Sequence, residues 1–258
     1  MDFSFFSTIL LESGITPGVL WWIIGAFVVG GFVKGVIGLG MPFVAIPVIS
    51  FVTDVPTAVG LVAFPSIFPN IVQLWMYRAH ASRPGTAALM SLGTILGTGI
   101  GVSLLVQIDK AIIAQLLGIL LLLYLVLRMV RIELTLSPER GANIAFPTGV
   151  LSGVLGGMTG LSAPVTLTYF MALKLPKYEF IYAVSVFFIA IGSAQAFFYV
   201  QSGFISHALF VMSAFALIPI LIGMRLGTWM TQYISQPMFE RLILGLMTLL
   251  GLKLTFGF

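Results

Sequence analysis

The sequence predicts an all-α polytopic membrane protein made of two inverted repeats, each a broken or hairpin helix followed by three transmembrane helices. Three observations carry this expectation. Of 258 residues, 59% are apolar and only 8% are Asp, Glu, Lys or Arg, where soluble domains carry about 25% charge. With a mean hydropathy of +1.14, most of the surface has to face hydrocarbon. The apolar residues fall into runs long enough to cross a bilayer, and two longer runs, each interrupted by glycine and proline, match one another without a gap.

Taken in order, the chain begins MDFSFFSTILLESG, which lacks a basic leading segment and carries Asp2 and Glu12, so it reads as retained rather than cleaved. Residues 18–53 form the first broken stretch. A crossing helix needs about 20 mostly apolar residues, and simple spans of that kind follow at 57–77, 86–107 and 111–130. Asp54 with Pro56, Arg83 to Gly85, and Asp109 with Lys110 punctuate them. Residues 144–173 form the second broken stretch, and spans follow at 180–201, 207–228 and 237–256. Trp21, Trp22, Trp75, Tyr77 and Trp229 fall near span ends and read as interfacial anchors. The halves divide at 1–132 and 133–258.

Basic residues in short loops set orientation. Arg78 and Arg83, then Arg128, Arg131 and Arg140, then Lys174 and Lys177, and finally Arg225 all fall on one side if each broken stretch enters and leaves by the same face. The loops around Asp54, Asp109 and Ser202 then lie outside, and the second half is inverted relative to the first. If each broken stretch crosses fully instead, the chain has eight spans and parallel halves.

The repeat itself is legible. The first broken stretch reads Gly31, Gly35, Gly38, Gly40, Pro42 and the second Gly153, Gly157, Gly160, Ser162, Pro164; the offset, 153 − 31 or 164 − 42, is 122. At the same offset Gln73 falls on Gln195 and Gly101 on Gly223. Glycines three or four residues apart let membrane helices pack closely. They also suit a half-helix that ends inside the bilayer, and non-helical backbone at that depth survives only where protein or a water-filled cavity covers it. The two breaks are therefore the first candidates for a site.

Composition excludes much else. The 12 Lys plus Arg against 8 Asp plus Glu reflect a scarcity of acids rather than a basic patch, so nucleic acid is not an expected partner. Zero cysteines and only two histidines, His80 and His207, leave no thiol chemistry and no metal centre. No cofactor is expected, and no catalytic constellation lies at membrane depth. The expected partners are a small anionic substrate and the lipid bilayer, with a homo-oligomer left open.

Lys34 is the formal charge inside the first broken stretch. A charge at that depth marks a pathway or a partner, unless it snorkels to the interface. Gln73 and Gln195 offer amides that donate and accept, either to a ligand or across helices, and Asn70 shares the face of Gln73. Thr159, Ser162 and Thr166 add hydroxyls around the second break, where they either bond a preceding carbonyl or complete an anion cradle with backbone amides. Arg225 is a candidate gate or mouth residue, or simply part of the inside-positive bias. The substrate-binding set is thus Lys34, Gly38, Gly40, Pro42, Asn70, Gln73, Thr159, Gly160, Ser162, Pro164 and Gln195.

Two stretches, GGFVKGVIGLGMPFVAIPVI at 30–49 and TGVLSGVLGGMTGLSAPVTLTYF at 148–170, each followed by a helix with a conspicuous glutamine, resemble the TauE/SafE family of sulfite and organosulfur-anion exporters. Where many relatives have a glycine pair after the first break, this chain has Met41 and Pro42. The resemblance implies a transporter of the bacterial cytoplasmic membrane rather than an enzyme, exporting sulfite, a sulfonate such as sulfoacetate, or a related organic anion. Inverted repeats would permit alternating access at a midplane site between them, with an anion channel or an uptake permease as the alternatives.

Overall fold

The computed structural model describes residues 15–37, 41–81, 84–130, 134–230, 232–233 and 236–257. These form α1 (Pro17–Ile37), α2 (Met41–Ile49), α3 (Val55–Ala63), α4 (Ile67–Met76), α5 (Pro84–Gln107), α6 (Lys110–Val130), α7 (Pro138–Thr159), α8 (Ala163–Ala172), α9 (Lys177–Gln201), α10 (His207–Phe215), α11 (Leu217–Met230) and α12 (Gln236–Phe256). Six apolar segments within them are long enough to cross a membrane: Pro17–Val36, Val55–Met76, Gly85–Gln107, Lys110–Val130, Lys177–Gln201 and His207–Met230. Lipid-facing stripes run along them at helical spacing, as with exposed Leu92, Leu96 and Ile100 on α5.

Helix starts follow local chemistry. Asp54 caps α3 by accepting from Thr57 N at 2.7 Å, and Ser137 and Ser206 cap α7 and α10 in the same way. Prolines 17, 56 and 138 sit in first turns, where their missing N–H is not needed. Lys110 Nζ lies 2.6 Å from Asp54 Oδ2, which fastens the start of α6 to the start of α3. Burial alone raises the Asp54 carboxyl, but hydrogen bonds from Lys110 and Thr57 hold it below the usual carboxylate range.

Both broken stretches are pairs of a full-length helix and a short return helix. Trp22 near the start of α1 donates through Nε1 to Val48 O near the end of α2 at 2.7 Å. In the second pair Tyr169 on α8 donates to Gly141 O near the start of α7 at 2.8 Å, and Leu136 N donates to Ala172 O at 2.8 Å. Each return helix therefore runs back to the end of the molecule where its partner began. At about 1.5 Å per residue, α2 and α8 reach only about half-way through a bilayer. Protein surrounds them: seven residues of α2 are buried, and its Val44, Ile46 and Ile49 pack in the main core with Leu61, Leu117 and Leu121.

Two spans expected to be continuous are not. The 57–77 segment divides into α3 and α4 at Phe64 to Ser66, and the 207–228 segment into α10 and α11 at Ala216. Proline is the cause in both. Pro65 cannot donate to Leu61 O, and Pro219 cannot donate to Phe215 O, so the regular ladder is interrupted there.

At the offset of 122, α1 falls on α7, α2 on α8, α3 with α4 on α9, α5 on α10 with α11, and α6 on α12. The closest packing crosses between halves. Cβ atoms on Gly31 and Gly35 of α1 would collide with the carbonyls of Ile220 and Met224, and Cβ atoms on Gly223 and Gly227 of α11 with those of Val28 and Phe32. The matching pair repeats this: Gly93, Gly97 and Gly101 of α5 meet the carbonyls of Phe146, Val150 and Val154, while Gly149, Gly153 and Gly157 of α7 meet those of Met90, Thr94 and Thr98. These glycines pack helices backbone to backbone.

A methyl at Gly153 therefore has to push α5 and α7 apart. Gly153→Ala is expected to cost about 1–3 kcal/mol, whereas Gly25→Ala, in open space, is neutral or slightly stabilising through helix propensity. Reversible unfolding in detergent micelles measures both; equal effects contradict the packing account.

Candidate functional site

The end of α7 determines the site. The helical ladder runs out at its last carbonyls; Gly160 N donates to Gly156 O at 2.8 Å, and two side chains of α9 add further donors. Gln195 Nε2 donates to Gly156 O at 2.7 Å and Tyr199 OH to Gly157 O at 2.8 Å. Gln195 and Tyr199 are four residues apart and so share one face of α9. Thr159 Oγ1 donates to Leu155 O at 2.8 Å and accepts from Leu161 N at 3.2 Å. Gly160 then turns the chain at φ 71°, where a side chain would be strained and would collide with Ile46. Ser162 precedes α8, which begins with Ala163 and Pro164.

The start of the second return helix faces that of the first. Gly160, Leu161, Ser162 and Ala163 line a cavity of about 150 Å³ together with Pro42, Phe43 and Val44 at the start of α2. Two helix N-termini are thus directed at one space, and each contributes positive potential there. Val33 of α1 completes this end. Tyr124 and Arg128 of α6, and Ile243, Leu244 and Met247 of α12, form another wall. Arg128, in the last turn of α6, and Met171, near the end of α8, are the exposed members, so the cavity opens toward the end where the second hairpin begins and returns.

A second polar centre begins at the residue after Val33. Lys34 is 5% exposed and donates through Nζ to Asn70 Oδ1 at 3.2 Å. Asn70 Nδ2 donates to Ser66 O at 2.7 Å, and Ser66 Oγ to Ala63 O at 2.7 Å. The network therefore uses carbonyls at the α3/α4 discontinuity. Gly192 of α9 seals it, because a Cβ there would press on Ile67 and Ser66. Among the described residues no carboxylate pairs with Lys34. At the repeat offset Lys34 and Asn70 correspond to Gly156 and Gly192, so this buried cation exists in one half only.

The expected site residues are thus placed differently. Pro42, Gly160 and Ser162 meet at the cavity, Thr159 and Pro164 flank it along the second break, and Lys34 and Asn70 pair with one another outside its lining. Gln195 holds the backbone of the break. Gln73 is half-buried on α4, three residues beyond Asn70. Arg225 is exposed on α11, away from the cavity wall, and Arg128 lines it instead. Gly38 and Gly40 lie outside the described residues. Sequence reasoning passed over Tyr199, although its spacing from Gln195 is the available signal, and it used Arg128 only for orientation.

Removing the bonds from α9 should loosen the break. Gln195→Leu and Tyr199→Phe are each expected to lower stability by about 1 kcal/mol, read from unfolding in micelles. Unchanged stability in both variants contradicts their capping role.

Residues 22–254 match the family described as Sulfite exporter TauE/SafE. No curated protein and no solved structure matches the chain.

Proposed function

The chain belongs to the TauE/SafE sulfite exporter family, a family of membrane transporters and not of enzymes, and on that premise we propose that it exports a small anion, sulfite or a sulfonate such as sulfoacetate, by alternating access. It is an integral membrane protein, which we place in the bacterial cytoplasmic membrane. The observation that carries the reading is the meeting of two return-helix starts, at Pro42 and at Gly160 to Ala163, on one cavity. Helix starts inside a bilayer attract negative charge without adding an ionised side chain to the wall.

The topology follows by counting. A hairpin that returns to its own side leaves three crossings in each half, 1–132 and 133–258, and an odd number inverts the second half. The mouth of the first hairpin, Asp54 and Lys110 then face outside, and Arg128 and the mouth of the second hairpin face the cytoplasm. The cavity opens toward Arg128, so this conformation is inward-facing, with the Asp54–Lys110 pair on the closed side. Exchanging the conformations of the two halves opens the other side.

Lys34 contributes potential rather than contact. A cation in a low-dielectric interior acts over many ångströms, and from the residue next to cavity-lining Val33 it draws an anion to the cavity without clamping it. An inside-negative potential then drives the anion out with about 2.3 kcal/mol per charge per 100 mV, so uniport suffices.

In proteoliposomes with an imposed potential, sulfite or sulfoacetate should leave by saturable, potential-dependent flux. Lys34→Met, which removes the charge and keeps the bulk, should lower the rate at least tenfold, about 1.4 kcal/mol, in protein that remains folded. Non-saturable conduction indicates a channel, and full activity in the variant overturns the role of Lys34.

A further inference from the structure

We propose that Lys253 and Phe51 form a latch that closes the end of the protein opposite the cavity mouth, and that this latch parts in every transport cycle. The inference rests on the transport reading above and concerns the gate rather than the cavity.

Position is the first argument. Lys110 opens α6 and Arg128, at the cavity mouth, stands in its last turn, so about 27 Å of helix separates the two ends. Phe51 lies three residues before Asp54, the carboxylate that holds Lys110. Lys253 is in the last turn of α12, beyond the cavity-lining Ile243, Leu244 and Met247. α12 runs antiparallel to α6 here: Gly118 approaches the backbone of Gly251 and Thr255, while Arg128 shares the cavity wall with Ile243 and Leu244. Lys253 therefore lies on the Lys110 side of the cavity, with its Nζ 3.2 Å from the centre of the Phe51 ring.

The second argument is what the contact joins. Trp22 stacks on Phe51 with ring centroids 6.2 Å apart, and its indole N–H donates to Val48 O. The ring is thus held by the first hairpin, and the ammonium over it comes from the second half of the chain. A cation is drawn to the face of an aromatic ring, the more so where water is partly excluded, and Lys253 is half-buried. The neighbouring Lys110–Asp54 pair joins two elements of the first half, and its lysine side chain is 68% exposed. Salt screens such a pair and it adds little. Movement of one half against the other at this end has to separate Lys253 from Phe51.

The third argument is the asymmetry of the repeat. At the offset of 122, Phe51 falls on Leu173, Asp54 on Pro176 and Lys110 on Gln232, while Lys253 falls on Arg131. The second hairpin's mouth keeps a cation in the sequence but has neither a ring nor a carboxylate at the matching positions. Identical halves would exchange conformations at no net cost. A latch at one end favours the state in which that end is closed, and that is the conformation described above.

Two measurements test the latch in a chain that contains no native cysteine. In the first, Phe51→Cys and Lys253→Cys are combined and joined by a short bifunctional methanethiosulfonate. Saturable anion flux in proteoliposomes is expected to stop on joining and to return on reduction. In the second, Leu167→Cys places a thiol on the cavity wall, and a membrane-impermeant maleimide is applied to intact cells. Adding Lys253→Leu should speed labelling from outside about fivefold, whereas Lys253→Arg, which keeps a cation over the ring, should leave the rate unchanged. Full flux through the joined pair, or equal labelling with and without Lys253→Leu, overturns the latch and leaves the transport reading intact. Absence of flux in the unmodified chain overturns the transport reading and the latch with it.

Discussion

Backbone peptide groups inside a bilayer must find partners within the protein, because hydrocarbon supplies none. The fold is organised around two places where the chain breaks that continuity and must be covered. At the second break the solution is explicit: Gln195 and Tyr199 take the last carbonyls of α7, Thr159 closes on its own backbone, and Gly160 adopts the left-handed turn that returns the chain. The glycine ladders serve the same end. By bringing α5 against α7 and α1 against α11 at backbone distance, they surround the half-length helices with protein and keep their starts away from lipid.

Each broken stretch pairs a full-length helix with a short return helix, but the chemistry at matching positions differs. Positions 34 and 70 carry a lysine and an asparagine, while positions 156 and 192 carry glycine. In the second half the space is filled by close helix approach and by the amide of Gln195 reaching Gly156 O. In the first half a buried ammonium rests on Asn70, which is in turn held by the carbonyl of Ser66 at the proline-induced discontinuity. A charge so deep is retained at a cost in stability. On the proposed reading its role is potential at the cavity rather than packing, since the matching position, 156, carries glycine.

Much of this was legible in the sequence. Most span limits followed from hydropathy, and the correspondence of α1 and α2 with α7 and α8 from five glycine, serine and proline positions at a fixed offset. The resemblance carried by residues 30–49 and 148–170 agrees with the family match over residues 22–254. Other features were not legible, for physical reasons. Periodicity does not reveal whether a glycine meets a carbonyl or a cavity, and Gly31, Gly35, Gly153 and Gly157 turn out to meet carbonyls. Hydropathy does not register a proline whose missing bond breaks a span, so the divisions at Phe64 to Ser66 and at Ala216 were missed. Nor does it separate cations by the face they occupy: Arg128 lines the cavity, while Arg225 is exposed on α11 outside its lining.

In the proposed arrangement the two hairpins enter from opposite faces of the membrane, and their return helices converge on one cavity from opposite sides. The chain contains no cysteine, so single substitutions report location without background. Phe51→Cys, at the mouth of the first hairpin, and Leu134→Cys, at that of the second, replace exposed side chains. Labelling intact cells with a membrane-impermeant maleimide should modify the first and spare the second until the membrane is opened. Labelling of both from the same face contradicts the inverted arrangement.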